Sequence, residues 1–214
     1  MAPDPKIIWH IVSPVLLKRY KRTATFLDYR NPWELAVAVI LSAQSTDDGV
    51  NKITPALFAE LPDACAMGRA PIARIVGLIK RVNYHNAKAR YLKAAGKMVC
   101  DHFAGRVPDT VADLQKLPGV GRKSAVAILS NAYNKNVGIP VDTHVIRFAH
   151  RFGLSHHRDA SKIEQDLLAI IPKKDWKRAG YAIKEYGRKE GRARGYDKTE
   201  DPLWQELTKN NISI

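Results

Sequence analysis

Residues 31–45 read NPWELAVAVILSAQS, and they constrain the fold more than any other stretch. Asn31 can cap a helix, Pro32 suits its first turn, and Glu34 stands three residues after the cap. From Leu35 to Leu41 every residue is apolar. A helix apolar on all sides has no face to give to water, so it must lie in the middle of a domain with other helices around it.

The rest of the chain supplies those helices. The periodicity is helical almost throughout, with no repeat and no segment that alternates convincingly as a strand. IIWHIVSPVLLKRY is amphipathic, with a break expected at Pro14. Thr46 or Asp47 can start the next helix, through Asn51 to Phe58. PIARIVGLIK is a short helix that RVNY ends. HNAKARYLKAAGKMVCDHF follows, with Tyr91, Ala95, Met98, Val99 and Phe103 as the expected apolar stripe and Gly105 as the stop. Further helices are read in PDTVADLQKL, RKSAVAILSNAY, DTHVIRFAHRF, SKIEQDLLAII and DWKRAGYAIKEYG. Ser161 and Glu164 are expected to form a capping box in the fourth of these. The expected fold class is all-α.

Charge narrows the partners. The 214 residues carry 35 basic against 21 acidic side chains, a net charge of +14, which favours nucleic acid over a membrane surface. No run of about 18 apolar residues exists to span a bilayer. The N-terminal MAPDPKIIWHIV, with an early acid and two prolines, does not read as a signal peptide. Cys65 and Cys100 are the only cysteines; they permit neither a disulfide framework nor a four-cysteine metal site, and they read as core fillers. A reducing, intracellular location is expected. His144, His150, His156 and His157 lack metal-ligand spacing with a carboxylate, so no metal or cofactor is expected.

The chemistry concentrates at LPGVGRKSA, residues 117–125. Gly119 and Gly121 allow a tight turn and close approach of another backbone. The N–H groups from Gly119 through Val120 to Gly121, with the new helix N-terminus at Arg122, form an anion site suited to a DNA phosphate. An ordinary helical corner would look the same. Lys123 sharpens the reading, because a helix N-terminus beside an arginine is a poor place for an ammonium and a good one for an amine. A neutral lysine amine at pH 7 costs about 4.6 kcal/mol, so a nucleophilic lysine needs such surroundings and loss of water. Downstream, IPVDTHVIR places Asp142 as a helix cap, with a second use as a carboxylate serving the same chemistry.

These motifs carry a resemblance. LPGVGRKSA followed by VDTHVIRFAHR, with NPWELAVAVILSAQSTD before them, resembles the helix-hairpin-helix DNA glycosylases of the endonuclease III type, over roughly Pro32 to Pro172. The resemblance implies two interlocked helical domains with a DNA-binding cleft between them. One would span residues 25–135 and end in the helix-hairpin-helix; the other would join residues 1–24 to 136–214. It implies a bifunctional DNA glycosylase and abasic-site lyase of base excision repair, acting on double-stranded DNA with damaged bases or abasic sites, oxidised pyrimidines first. Lys123 would attack C1′ of the damaged nucleotide and form a Schiff base, with strand cleavage by β-elimination. Asp142 would stabilise developing charge and assist proton movement. Gln44 would fill the gap left by the extruded base, and Tyr84 would wedge the opposite strand. Asp47 resembles a residue near the pocket, although helix capping explains it equally.

The C-terminal segment departs from the pattern. Many members carry four cysteines there for a [4Fe–4S] cluster, whereas this chain reads YGRKEGRARGYDKTEDPLWQEL and has no cysteine after Cys100. Arg188, Lys189, Arg192, Arg194 and Lys198 are expected to supply phosphate contacts instead. Two rival readings stand: a glycosylase for alkylated purines or for mispaired thymine or uracil, and a helix-hairpin-helix DNA-binding protein without catalysis. A monomer is expected, since one cleft serves one lesion.

Overall fold

The computed structural model describes residues 3–214, and every regular element within them is helical. The described chain opens with α1 (Pro5–Arg19). Then come α2 (Pro32–Ser42), α3 (Asp47–Glu60), α4 (Ala64–Arg69), α5 (Ile72–Ile79), α6 (His85–His102), α7 (Val111–Leu114) and α8 (Arg122–Ala132). It ends with α9 (Thr143–Arg151), α10 (Ala160–Ile170), α11 (Trp176–Lys189) and α12 (Pro202–Lys209), a 3-10 turn at Lys173–Asp175 preceding α11. The chain divides into a central unit, Thr25–Lys135, and a terminal unit that joins the described residues up to Ala24 to Asn136–Ile214.

In the central unit α2 packs against α3, α6 and α8. Leu35, Ala36, Val37, Ala38 and Leu41 are fully buried, as an all-apolar helix requires. Each large apolar side chain so buried contributes about 1.5–3 kcal/mol. Asn31 Oδ1 caps the helix by accepting from the Glu34 N–H at 3.0 Å. The buried Glu34 carboxylate reaches back to accept from the Arg30 N–H and guanidinium. Thr46, not Asp47, caps α3, its Oγ1 accepting from the Gly49 N–H at 3.1 Å. Capping therefore does not account for Asp47, which is the first helical residue.

The stripe of α6 keeps Ala95 and Val99 of the expected residues and not the rest. Its buried residues are Lys88, Ala89, Leu92, Ala95, Gly96 and Val99, while Tyr91 is exposed and Met98 and Phe103 are half-buried. The reason is the closeness of α4. A Cβ on Gly96 would sit 2.6 Å from the Ala64 carbonyl oxygen, and one on Gly68 would sit 2.7 Å from the Lys97 nitrogen. The two backbones touch there, so the facing stripe must be small and a tyrosine cannot belong to it. At the same contact Cys65 of α4 and Cys100 of α6 form a disulfide, their Cα atoms 5.0 Å apart. Both are half-buried and joined, which corrects their reading as core fillers.

The terminal unit has its own core. Ile8, Trp9, Val12 and Leu16 of α1 belong to one buried cluster with Phe148, Phe152, Ile183, Tyr186, Leu203 and Trp204. The aromatic members meet edge-on or tilted, with Phe148 and Tyr186 centroids 5.5 Å apart at 85°. Pro14 does not break α1. It faces solvent, so the carbonyl its ring leaves unpaired, that of exposed His10, has water available, and burial of Val12 and Leu16 on the other side holds the helix together. The capping box expected at Ser161 does not form. Asp159 is the cap, accepting from the Ser161 and Lys162 N–H groups at 3.0 Å each, and it takes the place at the helix start that Ser161 would need.

Candidate active site and nucleic-acid interface

The helix-hairpin-helix lies in the central unit. Thr110 caps α7 by accepting from the Asp113 N–H at 3.1 Å. Buried Leu114, Leu117 and Val120 anchor the turn beneath, and the Val120 N–H donates to the Leu117 carbonyl at 3.0 Å. Gly119 adopts φ +84°, and a Cβ on it would lie 3.2 Å from the Tyr91 side chain and 3.3 Å from Ile40. Any other residue here would be both strained and crowded. Gly121 starts α8 in extended conformation, no side chain caps that helix, and a Cβ on Gly121 would meet nothing within 4 Å. The backbone N–H groups in the first turn of α8 are thus left without a side-chain cap. Arg122 and Lys123 are its first two residues, and both are exposed.

Gln44 and Tyr84 occupy two further turns of the central unit. Gln44 lies between α2 and α3 at φ +53°; Tyr84 immediately precedes α6 at φ +58° and is 64% exposed. Left-handed backbone costs a non-glycine residue of order 1–3 kcal/mol and persists only where neighbours enforce it. The enforcing bonds are present. Asn83 Nδ2 donates to the Gln44 carbonyl at 2.7 Å, and Lys88 Nζ donates to the Leu41 carbonyl at 2.7 Å and to Ser45 Oγ at 3.0 Å. Lys88 is 3% exposed, and burial pulls its ammonium below the usual lysine range. Lys88 does not stand out in the sequence as a functional residue. A lysine four residues before Leu92, on the face that Ala95 and Val99 continue, was the available signal.

In the terminal unit Asp142 is the cap of α9. Its Oδ1 accepts from the His144 N–H at 2.8 Å and the Val145 N–H at 3.1 Å, and among the described residues no hydrogen bond engages Oδ2. One oxygen therefore holds the helix and the other is left over. His144 packs beside it; burial lowers its pKa, Arg147 adds to this, and Asp142 opposes it. Arg147 Nη2 donates to His144 Nδ1 at 3.0 Å, and Arg147 Nε donates to the Gly191 carbonyl at 2.8 Å.

The segment after α11 is held by a polar and aromatic network. Buried Asp201 caps α12 with Oδ1, while its Oδ2 accepts from the hydroxyls of Tyr186 at 2.5 Å and Tyr196 at 2.6 Å. Arg151 donates to the Tyr186 hydroxyl at 3.1 Å and covers the Tyr196 ring at 3.4 Å. Arg188, Lys189, Arg192, Arg194 and Lys198 are all exposed. Lys189 pairs with Glu185 at 2.7 Å, and the Lys198 ammonium lies 3.5 Å over the Trp204 ring. Among the described residues no group of three or more His, Cys, Asp or Glu side chains is placed to hold a metal ion. An iron–sulfur cluster does not fit here: the only cysteines are bonded to each other in the central unit, and the segment offers tyrosine, aspartate and arginine in place of thiolates.

A model of the HhH-GPD superfamily of base excision DNA repair proteins matches residues 37–173. Endonuclease III of Synechocystis sp. is 41% identical over 174 residues, covering 81% of this chain and 80% of that protein. Endonuclease III of Treponema pallidum is 41% identical over 192 residues, covering 87% and 88%. Among solved structures, a trapped endonuclease III–DNA covalent intermediate is similar with a TM-score of 0.89 and 32% identity, covering 98% of this chain and 99% of that one.

Proposed function

Because the chain belongs to the HhH-GPD superfamily of base excision DNA repair proteins, we propose that it is a bifunctional DNA glycosylase and abasic-site lyase. Its substrate is double-stranded DNA carrying damaged bases, oxidised pyrimidines first, or abasic sites. Lys123 carries the reading. It is an exposed amine in the first turn of a helix that no side chain caps, next to a turn whose φ +84° residue is Gly119.

A backbone phosphate binds the open N–H groups at the start of α8 and fixes the register of the duplex. Lys123 is exposed in the free protein, so the protein alone does not strip its water; bound DNA does so by covering it. The Nζ lone pair attacks C1′, and the glycosidic bond breaks with its electrons leaving on the base. Ring opening then gives an imine between Nζ and C1′. Loss of a proton from C2′ expels the 3′ phosphate and cuts the strand. We assign the Asp142 Oδ2 to the positive charge that develops on the sugar and to the proton transfers, while Oδ1 remains the helix cap.

The target base must leave the stack to be reached. Gln44 fills the space it vacates, and Tyr84 stacks against the opposite strand, a contact worth about 1–3 kcal/mol per base. Arg188 and Lys189 at the end of α11, with Arg192, Arg194 and Lys198 in the segment after it, contact phosphates, and the enzyme acts as a monomer. A panel of duplexes tests the reading: one with thymine glycol, one with 3-methyladenine, one with a G·T mismatch and one with an abasic site. Release of thymine glycol and cleavage at the abasic site, both lost in Lys123→Ala, are expected. Release of 3-methyladenine or thymine alone would move the substrate to an alkylated or mispaired base.

A further inference from the structure

Gln44 and Tyr84 stand on different turns, yet both turns are tied to each other. Asn83, adjacent to Tyr84, donates its amide to the Gln44 carbonyl at 2.7 Å. Lys88, one turn into α6 beyond Tyr84, donates to the Leu41 carbonyl at the end of α2 and to the hydroxyl of Ser45, the residue after Gln44. The three acceptors, Leu41 before Gln44 and the Gln44 carbonyl and Ser45 hydroxyl after its Cα, thus bracket the turn, and all three bonds come from the segment that carries Tyr84. Neither Gln44 nor Tyr84 has a glycine's freedom at positive φ, so these side-chain bonds, with the backbone bonds Ser45 N–H to the Ser42 carbonyl and Lys88 N–H to the Tyr84 carbonyl, hold the turns in place.

Lys88 is the informative member. Its ammonium is buried, and among the described residues its hydrogen-bond partners are these two neutral oxygens, with no carboxylate. Burying a cation that way is costly, and an apolar side chain of the same length would fill the space without that cost. What an apolar side chain cannot do is donate two bonds at once, to a helix C-terminus and to the turn that follows it.

We infer that Asn83 and Lys88 are positioning residues that lock the Gln44 and Tyr84 turns into a single preformed, two-pronged wedge. This rests on the reading that Gln44 and Tyr84 enter the duplex. A wedge already ordered in the free protein spares the complex the entropy of ordering two separate turns when it opens the stack. Loosening the brace therefore impairs stack opening while leaving phosphate contacts and the Lys123 chemistry as they are.

The test uses a duplex with 2-aminopurine opposite a tetrahydrofuran abasic analogue, which needs no knowledge of the preferred base. Wild-type protein raises the fluorescence as the opposite base is unstacked. Asn83→Ala and Lys88→Met are each expected to cut that rise by at least half, with Kd for the same duplex within threefold of wild type. Borohydride trapping on a single-stranded abasic oligonucleotide, where nothing need be unstacked, is expected to proceed at the wild-type rate. The double variant is expected to be no worse than the weaker single one, because both residues guard one wedge. Asn83 is exposed, so Asn83→Ala keeps the test available should Lys88→Met fail to fold. An undiminished fluorescence rise in Asn83→Ala overturns the inference, as does an equal loss on the single-stranded substrate. Tyr84→Ala and Gln44→Ala separate the two levels: if they also leave the rise intact, the wedge reading falls and takes the brace with it; if they abolish it while Asn83→Ala does not, only the brace falls.

Discussion

Gly187 of α11 lies so close to His144 of α9 that a Cβ on it would sit 2.5 Å from the imidazole Nδ1 and 2.8 Å from the histidine Cβ. Those are atoms at the root of the ring, which cannot swing aside as the end of a long chain could. His144 is also the residue whose N–H the Asp142 cap holds at 2.8 Å. Gly187→Ala must therefore push α9 outward and disturb the carboxylate at its start. The expected cost is about 1–3 kcal/mol in unfolding free energy, with lyase activity falling further than stability explains. Urea titration alongside abasic-site cleavage checks it; a stable, fully active variant would contradict the packing described.

Asp142 has two functions that substitution separates. Asparagine caps a helix as well as aspartate does. Asp142→Asn is expected to keep its Tm within a degree or two while turnover falls at least a hundredfold. Asp142→Ala loses the cap too, and about 1 kcal/mol of stability with it. Parallel melting curves and single-turnover rates decide the matter. Equal losses of stability and activity in the asparagine variant would leave Asp142 a cap and nothing more.

Acid should weaken the terminal unit through His144. Burial, the largest cause, and Arg147 hold its pKa below the usual 6.5, with Asp142 opposing. In the unfolded chain the ring takes up a proton as pH falls through its ordinary value, while in the folded protein it does not. Stability from this group is thus present above about pH 6.5 and is lost as pH drops through the lower, folded value. Denaturation at pH 7.5, 6.5 and 5.5 should show a steeper decline for wild type than for His144→Gln. Parallel declines would place the pH sensitivity elsewhere.

Neutralising Arg192 and Arg194 should weaken DNA binding without touching chemistry at saturation. For every phosphate that the protein no longer neutralises, the log–log salt dependence flattens by about 0.9. Lys189 is expected to contribute less, since Glu185 already pairs with it at 2.7 Å. Binding isotherms for Arg192→Gln/Arg194→Gln across a salt series give the slope directly. An unchanged slope would remove this segment from the DNA interface.

What could be read beforehand was what depends on neighbours in sequence. The buried α2 follows from seven successive apolar residues with a cap and a proline before them, and the tight turn before α8 follows from two glycines before a helix start. Asp142 was legible as a cap because its partners are two and three residues away. What escaped depends on distant pairs. The Lys88 bonds join residues 43 and 47 apart, and the Cys65–Cys100 bridge spans 35. Part of the α6 stripe escaped for the same reason: Gly96 is buried because the backbone of α4 touches it at Ala64 and Gly68, and no periodicity in α6 alone reveals that neighbour. Tyr186, Tyr196 and Asp201 likewise meet only in the folded chain, where two hydroxyls converge on one carboxylate.

The central claim is that Lys123 bonds to the substrate. Wild-type protein incubated with an abasic duplex and borohydride should give a covalent protein–DNA adduct, and peptide mapping should place it on Lys123. Lys123→Ala should bind the duplex and form no adduct. Adduct formation persisting in Lys123→Ala, or mapping to another lysine, would contradict the account.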